Sequence, residues 1–274
     1  MTTRPAITGR LLDLEYAISV EDPALGDHLV ELFADSCGPV DDPVRFHLAG
    51  SPGERFRLRR GDDELASTES PSHALGSLVW HMNRSVVSAS SGRMLFHAGV
   101  VDIDGAGIAF LGRSGDGKTT SAVAMARRHG GRLVTDDLAA VSSTGEVTGS
   151  AKPLGLREGS FAVLGVERAD LPQPPEPYRG STLYVAGSAA GAPVLDRTKV
   201  TDVVRIATDS GHSEPLLMRP AMGFAALLGA AFDERRLGND EVNTLAAWAK
   251  RWRFWEWTPS PVDRLDRLLT TEQP

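Results

Sequence analysis

Apolar residues recur along this chain in two alternating rhythms, a short period-two pattern and a longer one with an apolar position every three or four residues, as expected for a mixed α/β protein. Residues 10–20 (RLLDLEYAISV) read as a strand, and Pro23 to Asp35 as a short amphipathic helix stopped by Gly38 and Pro39. Strands are expected over Val44 to Leu48, Arg55 to Arg59 and Glu64 to Ser67, because glycine-rich turns at 50–53 and 61–63 separate them. Ser70 or Ser72 then caps a helix running to about Ser88, with Leu75, Leu78, Val79, Met82 and Val86 on one face. Residues 1–90 thus form a small α/β lead-in, and 91–274 a second region.

In the second region Met94 to Ile103 is a β run, 104–107 (DGAG) a turn and Ile108 to Leu111 a second apolar strand that ends in a glycine-rich loop. A helix is expected from about Lys118 to Gly130 and Gly131, followed by a short strand, Arg132 to Thr135, that delivers Asp136 and Asp137 at its C-terminal end. Strand, loop, helix and strand in this order form the core of a parallel α/β unit. Prolines and glycines crowd Lys152 to Val194, and Leu171 to Pro177 (LPQPPEP) reads as a surface loop. Val200 to Ala207 is strand-like and helix returns from about Pro215. Trp248, Trp252 and Trp255 recur at i, i+4 and i+7, which predicts three indoles on one helix face packed into the core, with a peptide-docking face helped by Arg251 and Arg253 as the alternative.

With 274 residues the chain holds one large or two small domains. Its 29 Lys and Arg against 36 Asp and Glu give a net charge of −7, which argues against nucleic acid or an anionic membrane as the principal partner. Cys37 is the sole cysteine, so neither an intrachain disulfide nor a Cys-based zinc cluster can form. Met1 to Leu14 lacks the apolar core of a secretory signal. The apolar run Ala221 to Phe232, followed at once by Asp233, Glu234, Arg235 and Arg236, is too short for a bilayer of about 30 Å and predicts a buried helix. The expected address is cytoplasmic.

The loop carries the candidate chemistry. Gly112, Arg113, Ser114, Gly115, Asp116, Gly117, Lys118 and Thr119 satisfy G-x-x-x-x-G-K-[ST] between an apolar strand and a helix, with Thr120 following. Glycines let backbone N–H groups turn inward onto phosphate oxygens, and the helix N-terminus adds about half a positive charge. Lys118 supplies a point charge for the phosphate of ATP, and the Thr119 hydroxyl is placed to ligate Mg²⁺. At the neighbouring strand end, either carboxylate of Asp136 and Asp137 can hold the metal or take the proton of an acceptor hydroxyl. Adjacent side chains of an extended strand point to opposite sides, so only one faces the phosphate unless the chain turns there. The histidines show no H-E-x-x-H spacing, and Gly105 to Gly107 lacks the third glycine of a dinucleotide fingerprint.

The stretch from Phe96 to Thr120 (FHAGVVDIDGAGIAFLGRSGDGKTT), followed by 131–137 (GRLVTDD), resembles the kinase domain of HPr kinase/phosphorylase. The resemblance covers residues 96–137, where His97, Lys118 and the Asp pair recur in the family's order. It implies a P-loop kinase core of the HPr kinase and phosphoenolpyruvate carboxykinase type. It also implies Asp136 as the base for an acceptor serine, His97 beside it, Asp137 near Mg²⁺ and Glu158, next to Arg157, as a further metal-side carboxylate. Arg113 and Thr120 stand where the family usually has acids, and its phosphorolysis signature is absent. The chain looks closer to the stand-alone HPr kinase-like proteins of peptide natural-product pathways, some of which phosphorylate a serine of a precursor peptide, as in lasso peptides. A homo-oligomer is a further implication of the resemblance. A metabolite kinase and a nucleotide-gated regulator without turnover are the alternative readings.

Overall fold

Capping chemistry and apolar periodicity set the helices of the computed structural model, which describes residues 6–90, 92–207, 214–232, 237–258 and 265–266. These fall into two units, one made of 6–90 with 151–162 and 166–190, the other of 92–150 with 163–165 and the described residues from 191 onward.

In the first unit, five strands run in spatial order β1 (Ile7–Leu11), β2 (Leu14–Val20), β3 (Val44–Ala49), β4 (Phe56–Arg60) and β5 (Asp63–Thr68). The single strand expected over 10–20 is a hairpin, broken at Leu12 with φ of 50°. Helix α1 (Pro23–Leu32) links the parallel pair β2 and β3, and the Asp22 carboxylate caps it by accepting from the N–H groups of Ala24 at 2.9 Å and Leu25 at 3.2 Å. Helix α2 (Pro71–Ala89) starts at a Ser70 cap and buries the five expected apolar residues. The proline- and glycine-rich stretch around the Leu171–Pro177 loop contributes a two-stranded sheet, β11 (Leu154–Leu156) with β12 (Leu183–Val185), and Tyr178, whose hydroxyl donates to Asp22 Oδ2 at 3.0 Å. Those contacts join partners up to 156 residues apart, so most of 151–190 belongs with the lead-in rather than with 91–274.

Within α1 the buried His28 ring has no hydrogen-bond partner for either nitrogen. Burial holds its pKa below the ordinary value, so the folded chain loses stability as pH falls through the unfolded-state value of about 6.5. His28→Leu is expected to gain about 1 kcal/mol and to flatten this acid-side loss, measured as melting temperature at pH 5.5 and 7.5.

The second unit is a mixed sheet in the order β10 (Glu146–Thr148), β9 (Leu138–Val141), β6 (Met94–Ile103), β7 (Ala106–Leu111), β13 (Arg197–Ile206), β15 (Arg253–Trp257) and β14 (Leu216–Leu217). Strand β10 also pairs with β13, and β8 (Arg132–Thr135) pairs with β6. Strands β7 and β8 flank helix α3 (Lys118–His129) in sequence, but β6 lies between them, antiparallel to both. The parallel neighbour of β7 is β13, reached much later in the chain.

Two expectations change here. Helix α6 (Asn239–Arg251) stops before the third indole, so Trp248 and Trp252 stack at 4.7 Å while Trp255 lies on β15. All three are buried; Trp255 donates its ring N–H to Asp202 at 2.8 Å, where Arg253 also bonds, and this fixes the extended course after Trp252. Helix α5 (Pro220–Ala230) is helical as expected but only partly buried: Gly223 and Leu227 are covered, Phe224, Ala226 and Leu228 pack half-buried against the core, and Met222 is 48% exposed. Gly223 explains the one-sided contact, since the Phe254 ring lies 2.6 Å from where a Cβ would stand. Residues 1–5 and the charges at 233–236 lie outside the described residues. Among the described residues no helix is long and apolar enough to cross a membrane.

Candidate functional site

Strand β7 ends at Leu111, and the chain turns through residues 112–117 before α3 begins. The Asp116 carboxylate ties the loop across its base by accepting from the Arg113 N–H at 2.6 Å. Gly115 and Gly117 adopt φ of 94° and 98°, a region that residues with a Cβ rarely enter. Gly117 is the N-cap of α3 and supplies no side-chain oxygen, so the first N–H groups of this twelve-residue helix carry the positive end of its dipole without a capping side chain. Lys118 is buried and folds back over the loop, its Nζ donating to the carbonyls of Gly112 and Arg113 at 3.0 Å each. Ser114 is exposed, and Thr120 is half-buried on the first turn of α3.

Strand β6 supplies the floor. A Cβ on Gly99 would stand 3.0 Å from the Lys118 carbonyl oxygen and 3.4 Å from Ala122, so only glycine lets the first turn of α3 sit this close to the sheet. The signal was present in the sequence as a glycine two residues beyond His97 in an otherwise apolar run.

The carboxylate pair occupies the joint between β8 and β9, both paired to β6. A register shift between Val100 and Val101 takes up one extra residue, and Thr135 Oγ1 donates to the Leu138 carbonyl at 2.9 Å across the bend. The chain does turn at the pair, and both carboxylates reach partners. Thr119 Oγ1 donates to Asp136 Oδ2 at 3.2 Å. His97 Nδ1 lies 2.8 Å from Asp137 Oδ1, and the imidazole stacks on Phe232 at 4.4 Å with the rings 25° apart. Phe232 had no sequence signal, since it follows His97 by more than 130 positions.

The structure therefore brings Lys118, Thr119, Asp136, Asp137 and His97 into the second unit, with Thr119 on Asp136 and His97 on Asp137. Glu158 opens α4 (Glu158–Leu164) on the exposed surface of the first unit, so Thr119, Asp137 and Glu158 do not form a cluster within the second unit. Among the described residues no group of three or more His, Cys, Asp or Glu is placed to hold a metal ion. The donor set that remains, a threonine hydroxyl touching a carboxylate beside a lysine and a helix N-terminus, fits a metal shared with a polyphosphate, because Mg²⁺ takes few protein ligands and completes its shell with phosphate oxygens and water. Comparison with models of known protein families and with curated proteins finds no match.

Proposed function

We propose that this chain is an ATP- and Mg²⁺-dependent kinase of the HPr kinase type that transfers the γ-phosphoryl group to a hydroxyl, that of a serine in a peptide or protein, in the cytoplasm. The observation that carries the reading is the contact between Thr119 and Asp136 beside the glycine loop, with a second carboxylate at the next position. A loop that only bound nucleotide would need the glycines, Lys118 and one metal-side carboxylate. A second carboxylate at the position next to Asp136 gives the acceptor hydroxyl somewhere to leave its proton.

The loop N–H groups and the α3 N-terminus bind and orient the phosphates. Lys118 exchanges two loop carbonyls for phosphate oxygens, and because its ammonium is a compact charge it can follow the γ-phosphoryl as it moves. Thr119 and Asp136 would hold Mg²⁺, which supplies neutralisation of charge on the phosphate oxygens. The peptide acceptor rests on the resemblance of residues 96–137 to HPr kinases, and the single free cysteine, Cys37, is compatible with a reducing compartment.

The test is transfer of labelled γ-phosphate from Mg·ATP to serine-containing precursor peptides, to HPr and to protein and metabolite fractions. Label on a serine, lost in Asp136→Asn, is the expected result. Tight ATP binding by calorimetry with no label on any acceptor would replace the kinase by a nucleotide-gated regulator, and label on a small molecule would replace the peptide acceptor.

A further inference from the structure

We propose that the two adjacent carboxylates divide the work in the order opposite to that implied by the resemblance: Asp136 acts with Thr119 on the metal side, and Asp137, oriented by His97, takes the acceptor proton. The assignment rests on the kinase reading above and deepens it.

Three observations carry it. Asp136 is bonded to the hydroxyl that would ligate the metal, the relation expected of a metal-side carboxylate in phosphate-loop enzymes. Asp136 is also only 3% exposed, and it follows Thr135, whose partner Val100 adjoins the Gly99 over which α3 packs closely. A serine carried by a peptide has to arrive from solvent, and the Asp137 and His97 side chains are 27% and 46% exposed. His97 Nδ1 engages Asp137 Oδ1, and stacking on Phe232 fixes the ring plane, so the carboxylate is held in one orientation where the acceptor arrives.

In the step itself the acceptor oxygen forms a bond to the γ-phosphorus while the bond from that phosphorus to the β–γ bridging oxygen breaks. ADP leaves with the electron pair of the broken bond, and the acceptor proton passes to the Asp137 carboxylate and then to solvent. His97 is a positioning residue, since it reaches the acceptor only through Asp137.

The experiment measures two quantities on the full chain, the ratio of ATP affinities with and without Mn²⁺ by calorimetry, and the rate of label transfer to peptide or, failing a peptide, to water. Asp136→Asn is expected to reduce the Mn²⁺-dependent ratio by at least about tenfold. Asp137→Asn is expected to keep that ratio within about twofold and to lower transfer by about 10²- to 10⁴-fold. His97→Ala should lower kcat with the affinity ratio unchanged, and His97→Asn, which retains a donor, should recover part of the loss. The converse pattern, with the ratio lost in Asp137→Asn and kept in Asp136→Asn, overturns the assignment, as does full transfer by Asp137→Asn. A wild-type chain that binds Mn·ATP but never transfers or hydrolyses it, or that binds none at all, removes the kinase reading and the assignment with it.

Discussion

Lys118→Ala is expected to lower γ-phosphoryl transfer by about 10²- to 10³-fold and to cost the chain most of its affinity for Mg·ATP, with a melting temperature close to that of the wild type. The size follows from the position of the ammonium, which lies inside the loop and not at its rim. Nζ is held at 3.0 Å by two carbonyls of the loop it serves, so the charge is already fixed against the loop before a ligand arrives. Removing one preorganised donor from charge that develops in a transition state costs roughly 3–4 kcal/mol. The two carbonyls left behind belong to Gly112, half-buried, and Arg113, exposed, so water replaces Nζ and the stability loss stays near about 1 kcal/mol. Lys118→Arg should not restore transfer, because a planar fork cannot occupy the site of a compact ammonium between two carbonyls. Initial rates and calorimetry on the three proteins check this. Wild-type nucleotide affinity in Lys118→Ala would remove the loop from the binding site.

The loop, its flanking strand and helix, and the Ser70-capped helix were legible because each is written locally. A cap sits beside an apolar period, and a glycine marks each reversal of the chain. The partner of each carboxylate was not legible. That depends on a register shift between Val100 and Val101 and on the bend bridged by Thr135, both consequences of how β8 and β9 share β6. Period alone also misplaced Trp255, since the spacing i, i+4, i+7 fits a helix while the pull of Asp202 on Trp255 and Arg253 comes from a strand some fifty residues earlier. The partly exposed apolar α5 failed for a related reason. Composition counts apolar residues, whereas burial needs a partner on each face, and Gly223 provides that on one side only. His97 shows the opposite case. Only the resemblance gave it a role, beside Asp136, and the structure gives it a carboxylate partner in Asp137, the second of the pair.

Gly149→Ala is expected to be the most destabilising single-methyl change in the second unit, lowering stability by about 3 kcal/mol and the melting temperature by about 8 °C. A Cβ at this position would stand 1.8 Å from the carbonyl oxygen of Val134 and 2.7 Å from its carbonyl carbon. Both are backbone atoms of β8, so no side-chain rotation can relieve the contact. Gly149 cannot retreat cheaply either, because its N–H donates to the Asp196 carbonyl at 2.8 Å and the preceding Thr148 is paired on both sides, to Ala140 and to Arg197. The displacement falls on the residue that the β8 register shift accommodates, two positions before Asp136. Loss of metal-dependent nucleotide binding should therefore accompany the loss of stability, and should be visible well below the melting temperature. Gly159→Ala is the control, since nothing lies within 4 Å of its added Cβ and it sits in helix α4, where alanine is favoured. Thermal melts and Mn·ATP calorimetry on the two variants read out both effects. A Gly149→Ala protein that melts with the wild type would overturn the close approach of these strands, and one that melts early but binds Mn·ATP normally would uncouple the strand joint from the site.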